Sequence, residues 1–149
     1  MPITFEQLQA KLGPLNESEW HQHPNGNGWV QNTAAVEDTA YVEGIVYGNA
    51  RVSGDARVSG DAWAFSPLQV KGTQHHVTTC THTLIQIGCQ QHPASYWLEH
   101  YKAIGRANGY TADQIAEYGL ILKMAESWLE MKFGKTTPKR DSRGRFVKG

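Results

Sequence analysis

Cysteine and histidine side chains are concentrated between residues 75 and 92, and they are the groups of this chain best suited to chemistry. The passage contains His75, His76, Cys80, His82, Cys89 and His92. Thiolate and imidazole are ligands that zinc prefers, and four of them complete a closed tetrahedral site. One interpretation is therefore a zinc site. The spacing is unusual for zinc, because only one residue separates the first two ligands. Its four ligands would be Cys80, His82, Cys89 and His92.

A second interpretation is catalysis by a cysteine nucleophile. Cys89 lies where a predicted strand ends and a helix begins, and the positive end of the helix would favour its thiolate. His92 or His75 would then act as the base. No third orienting residue and no oxyanion donor can be named from the sequence, so Cys89 and His92 are catalytic candidates only if the protein is an enzyme. For Cys89 alone the simplest interpretation is a buried small apolar side chain.

The interpretation that we favour for the whole group is a pocket for a small anion. A helix that starts after Pro93 offers unpaired backbone N–H groups and a positive dipole end, which suit phosphate. Glycine in the preceding turn lets a ligand approach the backbone, basic and imidazole groups add donors, and aromatic rings offer a stacking face. The predicted ligand-binding residues are Lys71, His75, His76, Gly88, Cys89, His92, Tyr96 and Trp97.

Local signals place this group between predicted strands and predicted helices. Alternating β-branched residues predict strands at 68–70, 76–79 and 83–87, with a hairpin turn near Thr81 and His82. Pro93 begins a helix that runs to about residue 107. A capping box formed by Thr111 and Gln114 begins a second, antiparallel helix that runs to about residue 133.

The N-terminal region carries similar local signals. Thr4 and Gln7 form a capping box and predict a helix over residues 4–12. The following segment, LNESEWHQHPNGNGWV, is rich in turn formers and predicts a loop. His21 and His23 lie in this loop, where we expect solvated side chains rather than metal ligands.

A six-residue repeat occupies residues 32–70. Alanine recurs with an apolar residue two places later, as in Ala50 with Val52 and Ala56 with Val58, and Gly-Asn or Gly-Asp pairs recur at one phase. A helix cannot keep this period, whereas short strands separated by corners can, with the small and β-branched positions facing inward. Glycine, asparagine and aspartate tolerate the positive φ that such corners need. Tandem similarity of this kind predicts a parallel β-helix.

The stretch NTAAVEDTAYVEGIVYGNARVSGDARVSGDAWAFS resembles the hexapeptide-repeat proteins that build a left-handed β-helix of triangular section. The flanking HPNGNGWV and IQIGCQQH…WLEHYKAIGRANGYTADQIAEYG resemble small uncharacterised proteins of phages and prophages. The resemblance implies a mixed β/α fold: a short left-handed parallel β-helix with an N-terminal helix, a C-terminal β-hairpin and a helical pair. The implied segments are a helix and capping loop (1–31), the β-helix (32–72), the hairpin and two helices (73–134) and a basic tail (135–149).

About two coils of such a helix would be too short to bury a continuous core, because each repeat is covered only by its neighbours. We therefore expect the rest of the chain to cap the repeats and copies to associate. Proteins of the resembled class commonly form homotrimers, in which the pocket would lie between subunits.

Charge and composition limit the partners. The 149 residues hold 14 basic and 14 acidic side chains, so no overall charge favours nucleic acid or membrane. The tail from residue 135 has six basic side chains and one acidic. It is expected to be a solvated, disordered terminus, with an arm that contacts nucleic acid or an acidic partner as the alternative. The first residues are too polar for a secretory signal, and two cysteines form no disulfide framework, which together predict a cytoplasmic protein.

Three functions follow as hypotheses. We favour a phage-encoded, non-enzymatic binding protein without a cofactor, acting in the host cytoplasm. It would sequester a nucleotide-derived ligand or block a host defence protein. An acyltransferase is the second, since that is the best-known activity of the resembled class, but no long loop and no histidine interrupt the repeats. A structural or assembly protein of the virion is the third.

Overall fold

The computed structural model describes residues 3–134, 139–140 and 146–147. The chain divides into two compact units, Met1–Gln91 and His92–Gly149. The four segments predicted above are a finer division and stay a prediction. The helices are Phe5–Leu12 (α1), Ala94–Ala107 (α2) and Ala112–Phe133 (α3). None of the helices in the described residues is both long and apolar enough to cross a membrane.

The strands of the described residues are short, with two to four residues each. In chain order they are Trp20–Gln22 (β1), Trp29–Gln31 (β2), Ala35–Val36 (β3), Tyr41–Val42 (β4), Ile45–Val46 (β5), Arg51–Val52 (β6), Arg57–Val58 (β7), Ala62–Trp63 (β8), Gln69–Lys71 (β9), His76–Thr79 (β10), Leu84–Ile87 (β11), Gln90–Pro93 (β12), Lys139–Arg140 (β13) and Phe146–Val147 (β14). In the basic tail β13 and β14 pair antiparallel, and its other residues lie outside the described part of the chain.

The N-terminal helix α1 forms where its capping box predicts it. Thr4 accepts a hydrogen bond from the Gln7 backbone, and the Gln7 side chain accepts one from the Thr4 backbone. Leu8 is fully buried against Trp20 and Ile45. This helix therefore covers apolar side chains of β1 and β5 that two short strands cannot bury alone.

The predicted loop between α1 and the repeats is wrong in part, because it contains an antiparallel hairpin. Strands β1 and β2 pair with His21 opposite Val30. The His23 side chain is 2% exposed and its Nε2 lies 2.7 Å from the Ala40 carbonyl oxygen, so it is a buried side chain rather than a solvated one. His21 is exposed, as expected, and its Nδ1 lies 2.7 Å from Asn32 Oδ1.

The repeat residues pair in parallel across several small sheets. β2, β5 and β8 are neighbours in one sheet, β3 pairs with β6, and β4 pairs with β7. Alanine and valine of the middle hexads face inward, as the repeat predicts. The side chains that are at most 1% exposed include Ala40, Val42, Ala50, Val52, Ala56 and Val58.

The predicted left-handed parallel β-helix is nevertheless contradicted. The repeat strands have two residues each and fall into three separate sheets, two of which have only two strands. The third sheet begins with the antiparallel pair of β1 and β2, and none of the sheets in the described residues closes. Paired residues lie 16 or 17 positions apart, as Trp29 with Ile45 and Ile45 with Ala62, which is less than three full hexads. Strands this short supply too few ladder bonds for one continuous sheet, so the fold is a mixed α/β arrangement of small sheets.

The end of the repeat departs from the predicted phase as well. Trp63 is completely buried, whereas Ala64, the predicted inward residue, is exposed. The preceding corner explains the difference, because Asp61 has a φ of 65° where Gly48 and Gly54 carry the positive φ in the earlier corners. Moving the left-handed residue by one position turns the next side chain to the opposite face of the strand.

A four-stranded sheet follows the repeats, with its strands in the order β12-β11-β10-β9. Strand β10 pairs antiparallel with both β9 and β11, and the turn between β10 and β11 contains Thr81 and His82, as predicted. The backbone N–H of Ser59, just after β7, donates to the Cys80 carbonyl oxygen at 2.9 Å. The hairpin is therefore fixed beside the last repeats, where it forms one wall of the cavity described below.

The second unit contains the helical pair. Helix α2 begins at Ala94, one residue later than predicted, with Pro93 at the N-cap position and no side-chain capping bond. The reciprocal bonds of Thr111 and Gln114 cap α3, as the sequence predicts. A methyl group at Gly119 of α3 would meet Tyr101 of α2, and one at Gly105 would meet Ile115. Because the later residue of α2 lies beside the earlier residue of α3, the two helices run antiparallel.

Candidate functional site

A basic cavity of about 280 Å³ lies in the first unit, between the face of the β9–β10–β11 sheet and the segment around β7. Hereafter it is called the basic cavity. It gathers two permanent cations, two histidines and one carboxylate with several hydroxyl, amide and backbone groups. Its lining residues are Asp55, Arg57, Lys71, Gly72, Thr73, Gln74, His75, His76, Thr78, Gln86 and Gly88.

Antiparallel register explains how the sheet presents these groups. His76 pairs with Lys71 on β9, and two residues later Thr78 pairs with Gln86 on β11. Residues two apart on a strand point to the same face, and paired residues share that face. The sheet thus has one polar face that lines the basic cavity, while Val77 and Ile85 on the other face are buried.

Arg57 is positioned from the opposite wall. It is paired with Tyr41 across β4 and β7, and its guanidinium carbon lies 4.4 Å from the centre of the Tyr41 ring. The Tyr41 hydroxyl donates to Glu43 Oε1 at 2.7 Å, and this bond to the carboxylate raises the pKa of Tyr41, with burial as a smaller cause. The Tyr41 ring thus supports the guanidinium by a cation–π contact, and the Glu43 carboxylate holds the hydroxyl of that ring.

Two glycines with a φ of +59° make room for the histidines. A methyl group at Gly54 would lie 2.8 Å from Cε1 of His76, and one at Gly88 would lie 3.3 Å from Cδ2 of His75. Both positions need the left-handed conformation and close approach of an imidazole ring. The sequence analysis predicted that Gly88 lets a ligand approach the backbone closely. In the structure the group that approaches Gly88 is the His75 ring.

The predicted ligand-binding residues separate into groups. Lys71, His75, His76 and Gly88 are brought together in the basic cavity. Cys89 is exposed and follows Gly88 in the turn between β11 and β12. It is therefore not the buried apolar side chain that the simplest interpretation expected.

His92, Tyr96 and Trp97 form an aromatic cluster in the helical unit. The His92 ring stacks on Tyr96 with centroids 4.0 Å apart and meets Trp97 edge-on at 5.1 Å. Tyr96 also contacts His100 at 4.1 Å. Burial lowers the pKa of His92, and the neighbouring His100 adds to that effect because two imidazolium charges would repel.

The residues of the zinc and nucleophile hypotheses have other surroundings. The Cys80 thiol is buried, which raises its pKa to about 11, and it contacts the Leu84 carbonyl oxygen. His82 Nε2 lies 3.0 Å from the Ala62 carbonyl oxygen. Within residues 3–134 and the two short tail strands, no three His, Cys, Asp or Glu side chains come close enough to hold a metal ion.

A second cavity, of about 440 Å³, lies beside α1 in the same unit. Its lining includes the apolar Ile3, Leu12 and Ile45, one cation, Lys11, and two carboxylates, Glu43 and Asp61. Asp61 is already used in the fold, since its Oδ2 accepts the His82 backbone N–H at 2.7 Å. The larger cavity thus lacks the concentration of donors that distinguishes the basic cavity.

Sequence reasoning missed Asp55, Arg57 and Gln86, all of which line the basic cavity. The repeat contained a signal for the first two, because Arg51 and Arg57 occupy the outward position of successive hexads, next to a Gly-Asp corner. The predicted binding residues all lie after the repeat, so these outward positions are not among them. Gln86 lies on strand β11, and the sequence does not show which face of the sheet its side chain occupies. Only the pairing of Gln86 with Thr78 places it on the cavity face.

Comparison with protein-family models, curated proteins and solved structures finds no match to this chain. The function must therefore be argued from the geometry of the site.

Proposed function

We propose that this protein binds a small phosphate-bearing ligand of the nucleotide class in the basic cavity, without chemical turnover. The observation that carries the proposal is the composition of that cavity: Arg57, Lys71 and two histidines face one carboxylate within about 280 Å³. Clustered donors on rigid elements are what an anion needs, because they replace its hydration at little cost in reorganisation.

The arginine supports phosphate in particular. Guanidinium offers a planar fork of N–H donors that fits two oxygens of a phosphate, and an orientation fixed in advance lowers the entropy lost on binding. The Tyr41 ring supports the Arg57 guanidinium by a cation–π contact, and Glu43 holds the hydroxyl of that ring. Lys71 adds a point charge from the opposite wall of the cavity.

The size of the cavity limits the ligand. Pockets for drug-sized molecules are about 300–1,000 Å³, so a cavity of about 280 Å³ suits a ligand at the lower end, such as a nucleoside monophosphate or sugar phosphate. The lining supplies cations, hydroxyls and amides and includes neither of the two cysteines. These groups hold an anion, which supports binding rather than thiol chemistry.

The wider role is proposed from the resemblance to phage proteins alone. On that basis the protein would act in the host cytoplasm, where it would sequester a nucleotide-derived signal or block a host defence protein. The homotrimer was expected because a two-coil β-helix cannot bury a core alone. That β-helix is contradicted, so the homotrimer stays an untested expectation.

Isothermal titration calorimetry with AMP, adenosine and inorganic phosphate tests the proposal. We expect AMP and phosphate to bind and adenosine not to bind. Arg57→Gln should weaken AMP binding about tenfold or more, the range for loss of one charged hydrogen bond. Arg51→Gln is the matched control, because Arg51 occupies the same hexad position one strand earlier and does not line the cavity.

Equal binding of AMP and adenosine, or unchanged AMP binding by Arg57→Gln, would overturn the proposal. Chromatography of the AMP after incubation separates binding from catalysis. Intact AMP is expected, and its hydrolysis would favour an enzyme instead. Circular dichroism spectra of both arginine variants verify that each one is folded.

A further inference from the structure

One acidic side chain lies among the cations of the basic cavity, and an anion site does not need it. Asp55 is exposed at the corner between β6 and β7 and lines the cavity with Arg57 and Lys71. A carboxylate at this place repels a phosphate, so its presence weakens binding of a bare anion.

The fold does not need this carboxylate either. Among the described residues, no hydrogen bond or ion pair uses the Asp55 side chain, whereas Asp61, at the same position of the next hexad, accepts the backbone N–H of His82. Asn49, at the corresponding position of the preceding hexad, lies outside the cavity. Of these three corner residues, only Asp55 lines the basic cavity.

We infer that Asp55 selects ligands that carry hydroxyl donors beside the phosphate, that is, sugar phosphates and nucleotides rather than inorganic phosphate. This inference rests on the proposed function. Arg57 and Lys71 hold the phosphate, and the Asp55 carboxylate, at the corner just before β7, accepts hydrogen bonds from sugar hydroxyls of the same ligand. A carboxylate accepts through two oxygens, which suits a pair of neighbouring hydroxyls.

Calorimetric titration of the full chain with inorganic phosphate and with ribose 5-phosphate tests the inference, because these probes share the phosphate and differ in the sugar. Asp55→Ala should bind inorganic phosphate about threefold more tightly, since a nearby like charge is removed. It should bind ribose 5-phosphate about tenfold less tightly, since a charged hydrogen bond is lost. Asp55→Asn should fall between, because it keeps an acceptor without the charge.

Asp113→Asn, in the helical unit, is the control, since it removes the same net charge and does not line the cavity. Opposite changes for the two probes in Asp55→Ala alone would support the inference. Parallel changes for both probes would overturn it and leave the proposed function intact, provided that Arg57→Gln still weakens both. If the wild-type chain binds neither inorganic phosphate nor ribose 5-phosphate, the proposed function and this inference are overturned together.

Discussion

The contact between the two long helices yields a prediction whose sign opposes the usual rule. Replacing a glycine inside a helix by alanine ordinarily stabilises the protein by about 1 kcal/mol. Gly119 lies inside α3, where a methyl group would be 2.8–2.9 Å from two ring carbons and the hydroxyl oxygen of Tyr101. Ordinary contacts begin at 3.4 Å, so the overlap is about half an ångström with each atom.

The cost of the overlap decides the outcome. Overpacking a close-packed site costs about 1–3 kcal/mol, and a rigid aromatic side chain met at three atoms belongs to the upper half of that range. Subtracting the propensity gain, we expect Gly119→Ala to lower the free energy of unfolding by about 1–2 kcal/mol.

Urea unfolding followed by circular dichroism at 222 nm measures this difference. In a Tyr101→Ala background the obstacle is gone, and the same glycine substitution should then stabilise the chain by up to about 1 kcal/mol. Stabilisation by Gly119→Ala in the otherwise unchanged chain would refute the helix contact described here.

Three further predictions concern thiols, a helix cap and acid stability. Ellman's reagent should modify Cys89 in the folded protein and Cys80 only after unfolding, because burial raises the pKa of Cys80 to about 11; two fast thiols would contradict this. Thr111→Ala should lower the free energy of unfolding by about 1 kcal/mol in urea titrations, since it removes the cap of α3, and no change would speak against that cap. Burial and His100 lower the pKa of His92, so its stabilising contribution is present above the unfolded-state value of about 6.5 and is lost as the pH falls. Thermal unfolding from pH 8 to pH 5 should therefore show a smaller acid loss for His92→Gln than for the wild type, and equal losses would contradict this.

The helices and the hairpin of β10 and β11 could be predicted from the sequence because their signals are local, whereas the β1–β2 hairpin was not predicted. The capping boxes at Thr4 and Thr111 each lie within four residues, and both helices begin where those boxes place them. The antiparallel hairpin around Thr81 follows from alternation and a turn of a few residues. These features depend on neighbouring residues alone, so no knowledge of the remaining chain was needed.

The architecture of the repeats could not be predicted in the same way. The six-residue period correctly indicates which side chains face inward, such as Val52 and Val58. Whether the strands join into one continuous sheet depends on their length and on what pairs with their edges, which the period does not specify. A single left-handed residue, Asp61, was enough to put Trp63 rather than Ala64 in the core.

The site was predicted in part for a comparable reason. Lys71, His75 and His76 are close in sequence and lie in the basic cavity together. Asp55 and Arg57 reach the same cavity through the packing of the hairpin beside β7, which is a long-range contact. Closeness in sequence was not sufficient for Cys89. It follows Gly88, which lines the cavity, but its own side chain is exposed and is not part of the cavity lining.

The most direct test of the central claim is a crystal structure of the protein grown with a saturating concentration of AMP. The account predicts that the phosphate lies within hydrogen-bonding distance of Arg57 and Lys71, in the cavity on the polar face of β9–β11. AMP bound at another place, or an empty basic cavity when calorimetry shows saturation, would contradict it.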